Sequence, residues 1–280
     1  MNKPNRIPSA FGKTPGGKSF IAFVTGGDPT IAQTEEFILE LIRSGADLVE
    51  IGIPFSDPVA EGKVIQESNI RALKAGATVE KIFTMVESLR KKIRAQNLSD
   101  VPLVFLSYLN PVFRYGLGSG SARNAKSGYA AFFDRCVSAG VDGIIIPDLP
   151  FEEQEEVRGE AASRGVDLIS LVAPTSRERI RKIAKNARGF LYIVSSLGVT
   201  GIRSSIETDL PAIIDEARTG NPALPCAVGF GINTPAQAAS IAAVADGVIV
   251  GSAIVKIIEE HPHDAAALSS YAREIKAAIS

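Results

Sequence analysis

Residues 48–66 read LVEIGIPFSDPVAEGKVIQ and carry three carboxylates in a setting that invites chemistry. Glu50 stands inside a short apolar run, and Asp57 and Glu61 follow in a loop punctuated by Pro and Gly. In an extended run, Leu48, Glu50 and Gly52 point to one face and Val49, Ile51 and Ile53 to the other. Both faces are then apolar apart from Glu50, as in a parallel strand covered on both sides. A lone carboxylate there costs several kcal/mol unless it is paired, hydrogen-bonded or protonated. Such a glutamate either closes a structural network or does chemistry.

Two glycine-bearing turns further along suggest a phosphate. Gly229-Phe-Gly-Ile232 and Gly251-Ser-Ala-Ile254 each follow an apolar run, and the second opens a helix. Backbone N–H groups of Gly231, Gly251 and Ser252 would donate to an anion there, and Gly201 on an earlier loop would close over it. Either turn alone also reads as a simple tight turn. Together, at the last two strands, they match the phosphate end of an α/β barrel.

The elements that must position these groups recur along the whole chain. Strands are expected at residues 20–25, 47–52, 103–108, 143–147, 167–172, 190–194, 226–229 and 247–250. Helices are expected between them at 31–44, 79–94, 129–139, 151–164, 177–187, 210–219 and 235–243. Thr78, Ser176 and Thr234 with Pro235 are start signals, and Gly45, Gly140 and Gly165 sit where helices should end. Alternation of this kind predicts an α/β fold, a single (β/α)8 TIM barrel over residues 1–280. Residues 1–18 read as an N-terminal extension and 264–280 as a C-terminal helix. A doubly wound open sheet is the alternative, but no GxGxxG follows the first strand. Residues 63–75 read as an additional helix, which makes the second βα connection long. Residues 117–128 are rich in Gly and Ser, and 199–208 form another long polar loop after strand six. Long loops at the C-terminal ends of barrel strands are where active sites and lids are built.

Composition removes other classes. A net charge of −1 offers no footprint for nucleic acid or an anionic membrane. The N-terminus lacks the apolar run of a signal peptide, and no stretch reaches the length of a membrane span. The two cysteines, Cys136 and Cys226, lie far apart in core-like segments, which argues against a disulfide framework and for a cytoplasmic protein. The only two histidines, His261 and His263, flank Pro262, far from every strand-end loop. Zinc chemistry and Ser-His-Asp hydrolysis are therefore disfavoured, and no metal is expected.

Seven motifs then occur in order: FVTGGDP at 23–29, VEIGIPFSDP at 49–58, SYLNPVF at 107–113, DGIIIPDLP at 142–150, SSLGVTG at 195–201, GFGI at 229–232 and GSAIVKII at 251–258. On these the chain resembles the α subunits of tryptophan synthase along essentially its whole length. The resemblance implies retro-aldol cleavage of indole-3-glycerol phosphate to indole and glyceraldehyde 3-phosphate. It also implies transfer of the indole to a β subunit in an αββα tetramer, with pyridoxal phosphate confined to that partner and no cofactor here.

The residues suit that reaction. No lysine lies in any expected strand to form a Schiff base, and for the reaction that the resemblance implies the indole can serve as its own electron sink. That task asks for one carboxyl near C3 and one near N1, held at different proton affinities. By resemblance, Glu50 shuttles the proton at C3, Glu61 stabilises charge at N1, and Tyr192 orients the first carboxylate. Phe23, Leu106, Tyr108, Ile145, Leu171 and Phe230 would sandwich the ring. Thr200 matches a lid residue that would bond Glu61 on closure, and Asp57, Pro58, Asn110 and Pro111 match the surface that docks the partner. One departure stands out: the family's usual aspartate-Gly-Pro is Glu61-Gly62-Lys63 here. The longer side chain reaches about one C–C bond further, ~1.5 Å. A stand-alone lyase, another phosphate-binding barrel, and a silent barrel that only activates a β subunit remain open at this point.

Overall fold

Strands β1 (Ser19–Thr25) and β2 (Leu48–Gly52) are buried at every position, as their mostly apolar sequences suit and in spite of Glu50. With β3 (Leu103–Leu106), β4 (Gly143–Ile145), β5 (Asp167–Val172), β6 (Leu191–Val194), β7 (Cys226–Gly229) and β8 (Gly247–Val250) they close a parallel barrel in chain order. The computed structural model describes residues 5–12, 17–116, 125–194, 209–229 and 231–280. The fold is a (β/α)8 TIM barrel. Its helices are α1 (Ile7–Ala10), α2 (Ile31–Arg43), α3 (Lys63–Lys74), α4 (Val79–Ala95), α5 (Leu109–Arg114) and α6 (Ala125–Ala139). After these come α7 (Glu155–Ser163), α8 (Arg177–Asn186), α9 (Leu210–Gly220), α10 (Pro235–Ala242), α11 (Ser252–Glu260) and α12 (Ala265–Ile279).

Side-chain alternation divides the strands between two cores. Ile21, Leu48, Val104, Ile145, Ile169, Phe190, Ala227 and Ile249 point into the barrel. Their neighbours Ala22, Val49, Phe105, Ile144, Leu168, Leu191, Val228 and Val248 pack outward against the helices. The register pairs Ile21 with Leu48 and Phe23 with Glu50, so two residues above an apolar layer the carboxylate also faces inward.

Local signals set the helix starts. Thr78 accepts from Lys81 N, Ser176 from Arg179 N, and Thr234 with Gln237 forms a complete capping box. Gly45, Gly140 and Gly165 adopt φ of +101°, +90° and +75°, left-handed values that suit glycine after a helix.

Several boundaries differ from the sequence pattern. β3 stops at Leu106 because Tyr108 already caps the short helix α5, which contains Asn110 and Pro111. The helix expected at 151–164 begins as one 3₁₀ turn, Phe151–Glu153, and resumes as α7 after Gln154. In the N-terminal extension, Ile7 and Ala10 of α1 join the interior cluster, and the Phe11 ring packs tilted against Phe190 at 5.5 Å. This segment floors the barrel at the end opposite the strand-end loops. The second connection is long, with residues 54–62 and α3 inserted before α4. The long loop after β6 falls almost wholly outside the described residues.

Candidate active site

A cavity of about 670 Å³ sits in the mouth of the barrel. Phe23 from β1, Glu50 from β2, Leu106 from β3, Leu171 from β5 and Tyr192 from β6 line its strand side. Loop 54–62 contributes Val59, Ala60 and Glu61, and the turns after β7 and β8 contribute Gly231, Gly251 and Ser252. The wall is mostly apolar, with two carboxyl groups set into it.

Glu50 is 1% exposed, and neither of its oxygens accepts a hydrogen bond among the described residues. Burial, reinforced by the charge of Glu61, pushes its pKa up to about 8. At neutral pH this carboxyl holds its proton. The Tyr192 phenol shares the cavity, and burial followed by the charge of Glu50 raises it well above its usual range.

Glu61 is held differently. Its Oε2 accepts from Asn69 Nδ2 at 2.6 Å, and its backbone oxygen accepts from Gln66 Nε2 at 2.7 Å. Burial pushes its pKa up to about 7, against the opposing hydrogen bond from Asn69. Of two carboxyl groups in one apolar slot, Glu50 thus holds its proton more firmly: it is the more deeply buried and faces the charge of Glu61, whereas Asn69 donates to Glu61.

The end of the cavity where an anion is expected is built from backbone. Gly251 precedes α11 with no side-chain cap, so the first N–H groups of that helix have no partner within it. Across the cavity Gly231 adopts φ +78°, and Asn233 Nδ2 donates to its carbonyl at 2.9 Å. A phosphate would meet N–H groups and the positive end of a nine-residue helix there.

The sequence profile described as tryptophan synthase alpha chain matches residues 10–279. The chain belongs to the tryptophan synthase alpha chain family. It is 46% identical over 263 residues to the tryptophan synthase alpha chain of Lactiplantibacillus plantarum, covering 94% of this chain and 92% of that one. Against the alpha chain of Geotalea uraniireducens it is 47% identical over 248 residues, 88% and 86% of the two chains. The crystal structure of the Legionella pneumophila alpha chain superposes with a TM-score of 0.82 at 35% identity, covering 99% and 98%. A structure of Mycobacterium tuberculosis tryptophan synthase gives a TM-score of 0.84 at 30% identity, covering 99% of each chain.

Within this alpha chain the expected site residues separate into three groups. Glu50, Glu61, Tyr192, Phe23, Leu106, Leu171, Gly231, Gly251 and Ser252 all border the one cavity. Thr200, Gly201 and Phe230 lie outside the described residues. Tyr108 and Ile145 do not border the cavity, which corrects their expected place in the ring slot. Ile145 packs in the interior cluster, paired with Leu106 and Ile169 across the sheet. Tyr108 is turned beneath loop 54–62, where its Oη accepts from Ala60 N at 2.9 Å and its ring stacks on Phe55 at 5.1 Å. It anchors the loop that carries Glu61. Tyr192 reaches the cavity but makes no hydrogen bond to the Glu50 carboxyl. Asp57 and Asn110 are both exposed, on loop 54–62 and on α5.

Among the contributors that escaped the sequence reading are two on α3. Ile65, in the first turn of α3, closes the cavity beside Phe23. Asn69 lies one turn further along the same buried stripe. The signal was present as an apolar position four residues after Glu61, with two polar residues in the stripe behind it.

Proposed function

We propose that this cavity cleaves indole-3-glycerol phosphate to indole and glyceraldehyde 3-phosphate, the α reaction of L-tryptophan biosynthesis. The observation that carries the reading is the pairing of a protonated Glu50, which no described residue hydrogen-bonds, with a hydrogen-bonded Glu61 in one apolar slot. The slot ends at an uncapped helix N-terminus suited to the substrate phosphate. In the forward direction Glu50 gives its proton to C3 of the indole, and Glu61 stabilises the positive charge that this creates at N1–H. Glu50, now a carboxylate, takes the proton of the glycerol hydroxyl next to the scissile bond. The C–C bond breaks, its electron pair neutralises the ring, and the aldehyde leaves. Glu50 ends with the proton it began with, and no outside acid or base is consumed.

Phe23, Leu106 and Leu171 give the flat ring apolar walls, and Phe230 is assigned to the same role by its place in the GFGI motif. Thr200 and Gly201 are assigned to closure over Glu61 and the phosphate on sequence alone. Tyr192 is assigned to steering Glu50 as the carboxyl swings between C3 and the hydroxyl. The enzyme works in the cytoplasm with a β subunit that carries pyridoxal phosphate, in an αββα assembly. Asp57, Pro58, Asn110 and Pro111 form part of the docking surface. Exposed Asp57 and Asn110 on neighbouring loop and helix support that placement.

Purified protein supplied with indole-3-glycerol phosphate is expected to release indole, faster when the cognate β subunit is added. No indole with or without the partner would overturn the reading. Gly251→Asp tests the anion end separately. A Cβ at Gly251 meets nothing closer than Phe23 Cβ and Cδ1 at 3.5 Å, an ordinary contact, so an aspartate fits sterically. Its charge is expected to weaken glyceraldehyde 3-phosphate binding by about tenfold or more, whereas Gly251→Ala is expected to fold normally and bind more nearly as wild type. Equal affinity of the aspartate variant and the wild type would place the phosphate elsewhere.

A further inference from the structure

We propose that Asn69 is the positioning residue for the loop-borne carboxylate, holding Glu61 as an inward-facing acceptor and tying both ends of loop 54–62 to helix α3. The inference rests on the reading of Glu61 as the carboxylate that meets N1.

Asn69 belongs to the buried stripe Ile65, Ser68, Asn69 and Ala72, at spacings of three and four along α3. An asparagine in that stripe gives up apolar burial and helix propensity, and it requires partners for its amide. It has them. Nδ2 donates to Glu61 Oε2 at 2.6 Å and to Ile65 O at 3.0 Å, and Oδ1 accepts from Phe55 N at 3.1 Å. Rotating the amide by half a turn would oppose Oδ1 to the carboxylate and the NH2 to an N–H, so the partners themselves determine its orientation.

Phe55 stands at the start of the loop and Glu61 at its end, so one side chain closes both. Gln66 adds a second hold from the same helix, on the Glu61 backbone oxygen. The extra methylene of glutamate, relative to the family's usual aspartate, is taken up where the carboxylate turns back onto this amide. Among the described residues, the titratable groups whose charge bears on Glu61 or is felt from it are Glu50 on β2 and Tyr108 at the start of α5. On its own loop Asp57 is exposed, and on α3 Lys63 and Glu67 pair with each other at 3.7 Å. None of these donates a hydrogen bond to the carboxylate in the structure. Without the Asn69 donor, burial beside Glu50 favours a protonated Glu61, which cannot stabilise charge at N1.

The test compares Asn69→Asp and Asn69→Ala with the wild type, using indole-3-glycerol phosphate as substrate. Asn69→Asp retains an acceptor for Phe55 N but sets a carboxyl against Glu61 in place of the donor, which raises its proton affinity further, whereas Asn69→Ala removes the donor without adding a charge. In both variants the acid limb of kcat/KM is expected to move to higher pH by about one unit, the scale set by one hydrogen bond to a charged group. The kcat/KM at pH 7 should fall about fivefold relative to wild type, and the gap should close toward pH 9, where loss of the Glu50 proton slows both proteins alike, while glyceraldehyde 3-phosphate affinity stays within about twofold. A merely structural asparagine would lower activity by one factor at every pH. The wild-type chain gives an independent readout: the Asn69 side-chain amide protons should shift in NMR with the Glu61 titration, which Glu61→Gln removes. An acid limb unmoved in both variants, or amide protons indifferent to Glu61, overturns the inference while an inactive Glu61→Gln leaves the site reading standing. A fully active Glu61→Gln overturns that reading, and with it the role given to Asn69.

Discussion

Replacing Glu50 by glutamine is expected to abolish indole release and, above neutral pH, to make the fold more stable. The first effect follows from its task, because an amide cannot pass a proton to C3 and take one back. A loss of ~10²–10⁴-fold is the usual contribution of such a group. The second follows from burial. In the folded chain Glu50 holds its proton up to about pH 8, against an ordinary value of 4.5. As pH rises through 4.5 the unfolded chain ionises first, so the folded state binds the additional proton. Stability contributed by the protonated form is therefore complete below about 4.5 and is lost steadily until about 8. Glutamine has no such dependence. The variant's advantage over wild type should open between these values and flatten above them, reaching on the order of 3–5 kcal/mol. Denaturant unfolding at pH 5, 7 and 9 measures it. Parallel stability curves for the two proteins would mean that Glu50 is not the buried proton carrier.

Glu50 was legible because strand periodicity needs no tertiary information. One carboxylate in an alternating apolar run must face a covered surface, and the register only had to decide which. The glycine turns proposed to take the phosphate were legible for a related reason: placed after the last two strands, they leave backbone exposed wherever the strands are placed. Tyr108 and Ile145 show where such reasoning stops. Both occupy apolar strand ends, but their depth in the barrel depends on the stagger between strands and on where β3 gives way to α5. That stagger is a property of the closed sheet, invisible in any single segment. Asn69 was hidden for another reason. Its contacts span 14 residues to Phe55 and 8 to Glu61, and they exist only once loop 54–62 folds back over α3. The flooring of the barrel by residues 5–12 was equally out of reach, since a four-residue helix has no periodicity to read.

The other large effect is expected at Gly229, a residue that carries no chemistry. It ends β7, opposite Val194 of β6, with the Tyr192 side chain lying directly over its Cα. A Cβ added there would come within 2.8 Å of Tyr192 Cε1 and Cζ and nearer still to Oη, closer than real side chains approach. Something must move, and the backbone of a paired strand yields less readily than a ring. Tyr192 borders the cavity, so its escape is into the space assigned to substrate and toward the Glu50 carboxyl. Gly229→Ala should therefore cost little as a fold, about 1–3 kcal/mol of overpacking at most. It should cost much more in turnover, on the order of 100-fold, because a shift of about 1 Å beside the reacting atoms has that effect. The double variant with Tyr192→Ala separates this mechanism from a general distortion of the strand. Once the ring is gone the added methyl has nothing to displace, so Gly229→Ala should lower kcat no further in that background. Thermal unfolding of all three variants, run beside the rates, establishes that the loss lies in the site. If Gly229→Ala lowers the rate by the same factor with and without the tyrosine ring, the methyl acts through the sheet, and Tyr192 is not what transmits it to Glu50.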